Sequence, residues 1–247
     1  MVKRRKTPVI VETTEPHLCS TDLRLTILHS VPFFAGLPHE AIAGINQLFH
    51  EKGYDAGETI YVAGDPARSL MIIAEGRVKL LRHTSIGKDI LLDLLIPGEF
   101  FGTLSTAAES EYQDTAVAMT SICALAIEYE KFRSILLEYP AVSMKVLDTV
   151  SGRLAAAHAT IQRLSSQTAE QRIAATLLRL ADKLGEKHEV GLLIQTPLSR
   201  DELADMTGAT PETASRVISQ FQKDGLIETG RQWIAITDSQ GLRTLAE

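Results

Sequence analysis

Apolar residues change their spacing along the chain, and each change marks a different kind of element. From about Val31 to Tyr129, short apolar runs such as "LMIIA", "DILLDLL" and "SICALAI" are punctuated by Gly53, Gly57, Gly64, Gly76, Gly87, Gly98 and Gly102, a glycine about every ten residues. Runs this short, bounded by turn residues, predict an antiparallel barrel or sandwich whose interior is filled by side chains or encloses a small ligand. From Ser143 the period becomes helical. Leu147, Val150, Leu154, Ala157, Ile161 and Leu164 follow one another at alternating steps of four and three, the seam of a helix that packs against a second copy of itself. Gly152, Ala155 and Ala156 leave room for close backbone approach; the competing reading is a long helix packed on its own domain.

A further helical run, "RIAATLLRLADKLG", stops at Gly185 as helices tend to, and "GEKHEVGLLIQTP" reads as a loop and a strand. In "LSRDELADMTGATPETASRVISQFQKDGLIE", Ser199 and Glu202 fit a capping box, Gly208 marks a turn, and Thr210-Pro211 start a second helix. Ala214, Val217, Ile218 and Phe221 form its apolar face, with Glu212, Ser215, Arg216, Ser219 and Lys223 opposite. This pattern predicts a helix-turn-helix, and "LIETGRQWIAITD" after Gly225 predicts two strands joined through Thr229-Gly230-Arg231, a wing. The expected organisation is an arm over 1–30, a β domain over 31–135, a dimerisation helix over 136–165 and a winged helix-turn-helix over 166–247.

Composition adds limits. At 247 residues, 45% hydrophobic and 23% charged, the chain suits two modest globular domains, and its apolar runs fall short of a membrane span, so a cytoplasmic protein without a membrane partner is expected. The formal charge of −6 disfavours a generic polyanion binder but not a reader that confines positive charge to one face. Lys3, Arg4, Arg5 and Lys6 read as a solvated tail. No nucleophile elbow, P-loop, HExxH motif or paired-carboxylate constellation is present, and Glu109 with Glu111 lies in a polar loop, so an enzyme is not expected.

The candidate chemistry is therefore DNA recognition. Arg216 carries the planar fork for guanine, Glu212 can accept from a base amino group and Ser215 can reach either kind of edge. Ser199, Arg200, Thr210 and Thr213 lie near helix N-termini that favour phosphate, and Arg231 sits on the wing.

The pattern "AGETIYVAGD…LMIIAEGRVKL…GKDILLDLLIPGEFFG", followed by the long helix and "SRDELADMTGATPETASRVISQFQKDGLI", resembles the Crp/Fnr family of bacterial transcription regulators from about Cys19 to Leu245. The resemblance implies an α+β protein: an N-terminal antiparallel β-roll sensor domain (cupin-like, of the cyclic-nucleotide-binding type), a long dimerisation helix and a C-terminal winged helix-turn-helix. It implies a homodimer on a palindromic operator in double-stranded DNA, with RNA polymerase as a further partner and activation, repression or both as the outcome. "PETASR" is similar to the FNR branch, which carries Glu-x-x-Ser-Arg, met here by Glu212, Ser215 and Arg216; the cAMP-receptor branch has an arginine where this chain has Pro211. Half-sites closer to TTGAT than to TGTGA are expected.

For the signal, the resemblance leaves several readings open. In cAMP receptors a glutamate and an Arg-Ser pair hold the nucleotide; here those positions fall on Thr103 and on Asp114 and Thr115, which disfavours cAMP. The cluster-bearing branch uses several arm cysteines and one in the sensor domain. This chain has only Cys19 and Cys123, so an iron–sulfur cluster would need His17 or another non-thiolate ligand. A Cys19–Cys123 disulfide would pin the arm to the β-roll, and two simply buried thiols are the plainer alternative. Haem through His83 or His17, another small molecule, or no effector at all complete the alternatives.

Overall fold

The computed structural model describes residues 19–84, 87, 89–104, 110–196, 198–230 and 232–247. The chain divides into two compact units between Ala157 and His158.

The first unit opens with two helices in the region expected to be arm and strands: α1 (Thr21–Ser30) and α2 (His39–Asn46). Ser20 caps α1 by accepting from the Leu23 amide, whereas α2 starts after Pro38 without a side-chain cap. Their apolar residues Ile27, Leu28, Ile42 and Ile45 are buried, so tertiary packing rather than strong local signals makes these short helices. Arg24 ties them together, its guanidinium donating to the Asn46 side chain and to the carbonyls of Asn46 and Phe49, each at 2.9 Å.

Eight strands follow: β1 (His50–Tyr54), β2 (Thr59–Tyr61), β3 (Ser69–Glu75), β4 (Val78–His83), β5 (Asp89–Leu95), β6 (Phe100–Gly102), β7 (Thr115–Ala118) and β8 (Ile122–Glu128). They form two antiparallel sheets, ordered β1-β8-β3-β6 and β2-β7-β4-β5. Because side chains alternate along a strand, β3 and β8 each feed two cores. Leu70, Ile72, Ala74, Cys123, Leu125 and Ile127 face the helices; Met71, Ile73, Ile122, Ala124 and Ala126 face the second sheet. Phe33 is a hub of the helical side, with edge contacts to Phe34, Phe100 and Phe132 at centroid distances of 4.7, 5.4 and 5.9 Å.

The expected single helix from residue 136 is two helices, α3 (Tyr129–Glu138) and α4 (Pro140–Ser166). Tyr139 leaves the helical region between them (φ −120, ψ 82), as a following proline disfavours helical backbone in the residue before it. Val142 is buried against the first unit's core and Val146 packs on it, while Lys145 donates to the Ala35 carbonyl. Thus α4 does pack on its own domain, but through a face other than the apolar seam.

The second unit holds α5 (Ala169–Leu184), β9 (Gly185–His188), β10 (Gly191–Gln195), α6 (Arg200–Thr207), α7 (Pro211–Lys223), β11 (Ile227–Gly230), β12 (Trp233–Ile236) and α8 (Ser239–Ala246). The stretch expected to be a loop and one strand is a hairpin, β9 paired with β10, in a sheet of order β11-β12-β10-β9. The wing turn is displaced as well. Thr229 and Gly230 pair with Ile234 and Trp233, so both belong to the ladder rather than to the turn.

Phe33→Ala should lower the stability of the first unit by roughly 3–5 kcal/mol, as expected for a fully buried aromatic hub. Denaturant unfolding followed by circular dichroism measures the loss; a change under 1 kcal/mol would mean that the hub packs less tightly than its ring contacts indicate.

Candidate nucleic-acid interface

Local chemistry builds the helix-turn-helix. Ser199 accepts from the Glu202 amide at 3.1 Å, and the Glu202 carboxylate returns to the Ser199 amide at 2.8 Å, a closed capping box for α6. Gly208 then adopts the left-handed conformation (φ 58, ψ 36) that ends α6. Thr210 caps α7, accepting from the Thr213 amide at 3.2 Å, and Pro211 occupies the first turn. Ala214, Val217, Ile218 and Phe221 are buried, whereas Glu212, Ser215, Arg216, Ser219 and Lys223 lie exposed on the other face.

This geometry presents the three base-reading candidates together on the N-terminal half of α7. Glu212 turns back to its own amide and to the Thr210 hydroxyl, hydrogen bonds that hold its carboxyl below the usual carboxylate range and so ionised at neutral pH. The phosphate candidates double as caps: the hydroxyls of Ser199 and Thr210 are engaged with Glu202 and Thr213. Arg200 is half-buried, and desolvation lowers the pKa of its guanidinium. Arg231 lies outside the described residues.

Along α4 the expected seam is open to solvent on the single chain. Leu147 is 57% exposed, Leu154 57% and Ile161 61%, and Val150, Ala157 and Leu164 are exposed too. Contiguous apolar surface of this kind marks an association face.

Between the two sheets of the first unit the space is occupied by aromatic rings. Tyr61 stacks on Tyr112 at 3.8 Å between centroids and on Phe101 at 6.0 Å. The Tyr61 hydroxyl donates to Asp114 at 2.8 Å. Burial raises the pKa of Asp114, against the opposing pull of the Tyr61 hydrogen bond and of Arg82 and Arg153; burial and Asp114 together raise that of Tyr61. Arg153, on α4, sits with its guanidinium carbon 3.7 Å from the centre of the Phe100 ring and donates to the Phe100 carbonyl at 2.8 Å, a cation–π contact. Thr115 is buried, its hydroxyl accepting from the Ala63 amide and facing His83 Nε2, and Thr103 is buried as well.

On the helical side Cys19 and Cys123, 7% and 4% exposed, bring their sulfurs within bonding distance, with Cα atoms 6.1 Å apart, inside the range a disulfide needs.

A profile described as a cyclic nucleotide-binding domain matches residues 51–139, and one described as a Crp-like helix-turn-helix domain matches 171–245. The cyclic AMP receptor protein of Thermus thermophilus is 30% identical over 87% of this chain and 96% of that protein. The chain belongs to the Crp/Fnr family. The transcriptional activator protein FnrA of Stutzerimonas stutzeri is 30% identical over 77% of this chain and 78% of that protein. The structure of FixK2 from Bradyrhizobium japonicum superposes with a TM-score of 0.72 at 24% identity, over 81% of this chain and 98% of that one, a likeness of fold. This Crp/Fnr protein is accordingly a DNA-binding transcription regulator, and its relatives are regulators rather than enzymes. Among the described residues no helix is long and apolar enough to cross a membrane.

Among the described residues, the side chains considered for a cyclic nucleotide, haem or a cluster are engaged with other side chains. A cyclic phosphodiester would meet Asp114 instead of an arginine, beside interior space filled by Tyr61, Tyr112 and Phe101. For haem, His83 has Nδ1 engaged by Asp89 and Nε2 facing Thr115 at 3.3 Å, so neither nitrogen is directed to a ligand. For a cluster, Cys19 and Cys123 face each other, and among the described residues no three His, Cys, Asp or Glu side chains gather around a metal position; His17 lies outside the described residues. Reading the sequence missed Arg153 and Tyr61. Both act through contacts far apart in the chain, Arg153 on Phe100 and Tyr61 on Asp114, which no local spacing announces.

Because the folded protein binds the Asp114 proton more tightly than the unfolded chain does, stability falls as pH rises from the ordinary carboxylate value through the raised one. Asp114→Asn keeps an acceptor for Tyr61 without the charge. Its melting temperature at pH 7 should exceed the wild type's by roughly 1–3 °C, allowing for partial exposure, and the gap should close on acidification. Melting curves at several pH values check this; a variant less stable at pH 7 would show that the arginines outweigh the burial.

Proposed function

We propose that this regulator works as a cytoplasmic homodimer joined along α4, reading a palindromic operator with one α7 from each copy and then engaging RNA polymerase. The observation that carries this reading is the exposed face of α7, where Glu212, Ser215 and Arg216 follow a capped, glycine-turned helix start. A major groove admits such a helix by its N-terminal turns, and two-fold symmetry sets half-sites about 34 Å apart. With Pro211 in place of the arginine of the cAMP-receptor branch, the half-site is TTGAT-like. Ser199, Arg200, Thr210, Thr213 and Arg231 contact phosphate, largely through the amides at the two helix starts, since the cap hydroxyls are already engaged.

The signal is redox in character. Disulfides persist poorly in a reducing cytoplasm, so a Cys19–Cys123 pair that closes and opens reports the thiol poise. The bond would join the start of α1 to β8 across 104 residues of chain, fixing the helical layer to the sheet. A cyclic nucleotide is not the effector, given Asp114 and the filled interior. In the alternative, with Cys19 and Cys123 as packing only, the protein binds DNA without an effector.

Selection from a random-site pool should return a TTGAT-type palindrome, and Arg216→Ala should cost about 1–3 kcal/mol of specific binding. Recovery of TGTGA would overturn the branch assignment; indifference to Arg216→Ala would remove α7 as the reader. For the signal, oxidised wild type should be more stable than reduced by about 2–4 kcal/mol and differ from it in operator affinity, with both differences absent in Cys19→Ser. Equal affinity in the two redox states would leave the effector-independent reading.

A further inference from the structure

Arg172, in the first turns of α5, donates to three main-chain carbonyls: through Nε to Thr207 at 2.7 Å, through Nη1 to Gln167 at 2.6 Å and through Nη2 to Gly208 at 3.2 Å. Gln167 directly follows α4, while Thr207 and Gly208 end α6. Carbonyls at helix ends lack intrahelical partners and carry the negative end of the helix dipole. One planar cation therefore bridges two helix C-termini, a task for the fixed fork of arginine rather than the point charge of lysine.

The same junction is closed from a second side. A Cβ on Gly208 would lie 2.8 Å from Leu164 Cδ2, so the turn of the helix-turn-helix abuts the last turn of α4, and a side chain there would displace the leucine. Gln167 also donates through Nε2 to the Ala246 carbonyl at 2.8 Å. The last turn of α4 carries Ile161 and Leu164 of the seam, and Thr210, two residues after Gly208, starts α7.

We infer that Arg172 is a positioning residue: by clamping the α6–α7 turn to the end of α4, it sets the direction of the recognition helix relative to the dimer seam and thereby the half-site spacing that the dimer accepts. The inference rests on the dimeric reading given above. It adds that operator spacing is fixed by one guanidinium that touches no DNA.

The test uses full-length wild type, Arg172→Lys and Gly208→Ala on palindromes whose half-sites are moved apart or together one base pair at a time. Gly208→Ala disturbs the junction at the carbonyl that Arg172 holds while keeping the guanidinium itself, so it keeps the test alive if the lysine variant fails to melt cooperatively. Wild type should show one spacing optimum that drops by about tenfold on either side, comparable to losing one base contact. Both variants should flatten or shift that optimum. A purely structural role would weaken binding equally at every spacing. Variants that keep the wild-type optimum, however weakly they bind, overturn the inference while leaving the dimeric reading intact; a wild type that prefers no spacing overturns both.

Discussion

Along α4, a stripe of Leu147, Val150, Leu154, Ile161 and Leu164 faces outward, and water is a poor neighbour for it. The opposite condition holds on another face of the same helix, where Val142 and Val146 join the first unit's core and Arg153 caps the Phe100 ring. One helix is thus anchored to the sensor on one side and left apolar on another. The four-three repeat of this stripe suits a helix pair. At its last turn the stripe reaches Leu164, which lies against Gly208 at the turn that precedes α7.

The first unit owes its chemistry to strands buried on both faces. Alternation along β8 sends Cys123 towards Cys19 and the helices, and Ala124 and Ala126 towards the second sheet. The two sides therefore hold different chemistry: a thiol pair in the helical core, and between the sheets an aromatic stack whose Tyr61 hydroxyl engages Asp114. Arg153 reaches this second region from α4, so the charge balance around Asp114 includes a group carried by the dimer helix. Family membership supplies the shape of a nucleotide-binding domain, and in this chain Asp114 sits in it beside Tyr61 and under the influence of Arg82 and Arg153.

The helix-turn-helix was legible because its boundaries are local chemistry. Ser199 with Glu202, Gly208, and Thr210 with Pro211 each satisfy or punctuate backbone within a few residues, and the structure keeps all of them. The long helix α4 was legible for the same reason, a period within one helix. By contrast α1 and α2 escaped notice because each is short and α2 lacks a cap, their stability coming from burial of Ile27, Leu28, Ile42 and Ile45. The Tyr61–Asp114 bond spans 53 residues and Arg172 reaches 35 residues ahead to Thr207. No short-range pattern announces contacts of that kind. The wing tip moved because Thr229 and Gly230 pair in the ladder instead of turning, a register that hydrophobic alternation alone does not specify.

Whether two copies meet along α4 is measured most directly by sedimentation equilibrium of the wild type beside Leu154→Glu, a substitution at an exposed position whose fold should survive. The expected wild-type mass is twice the 27.0 kDa of one chain, with a shift towards monomer in the variant. A wild type that remains monomeric at the concentrations where it binds a palindrome, or a variant that dimerises as well as the wild type, would contradict it.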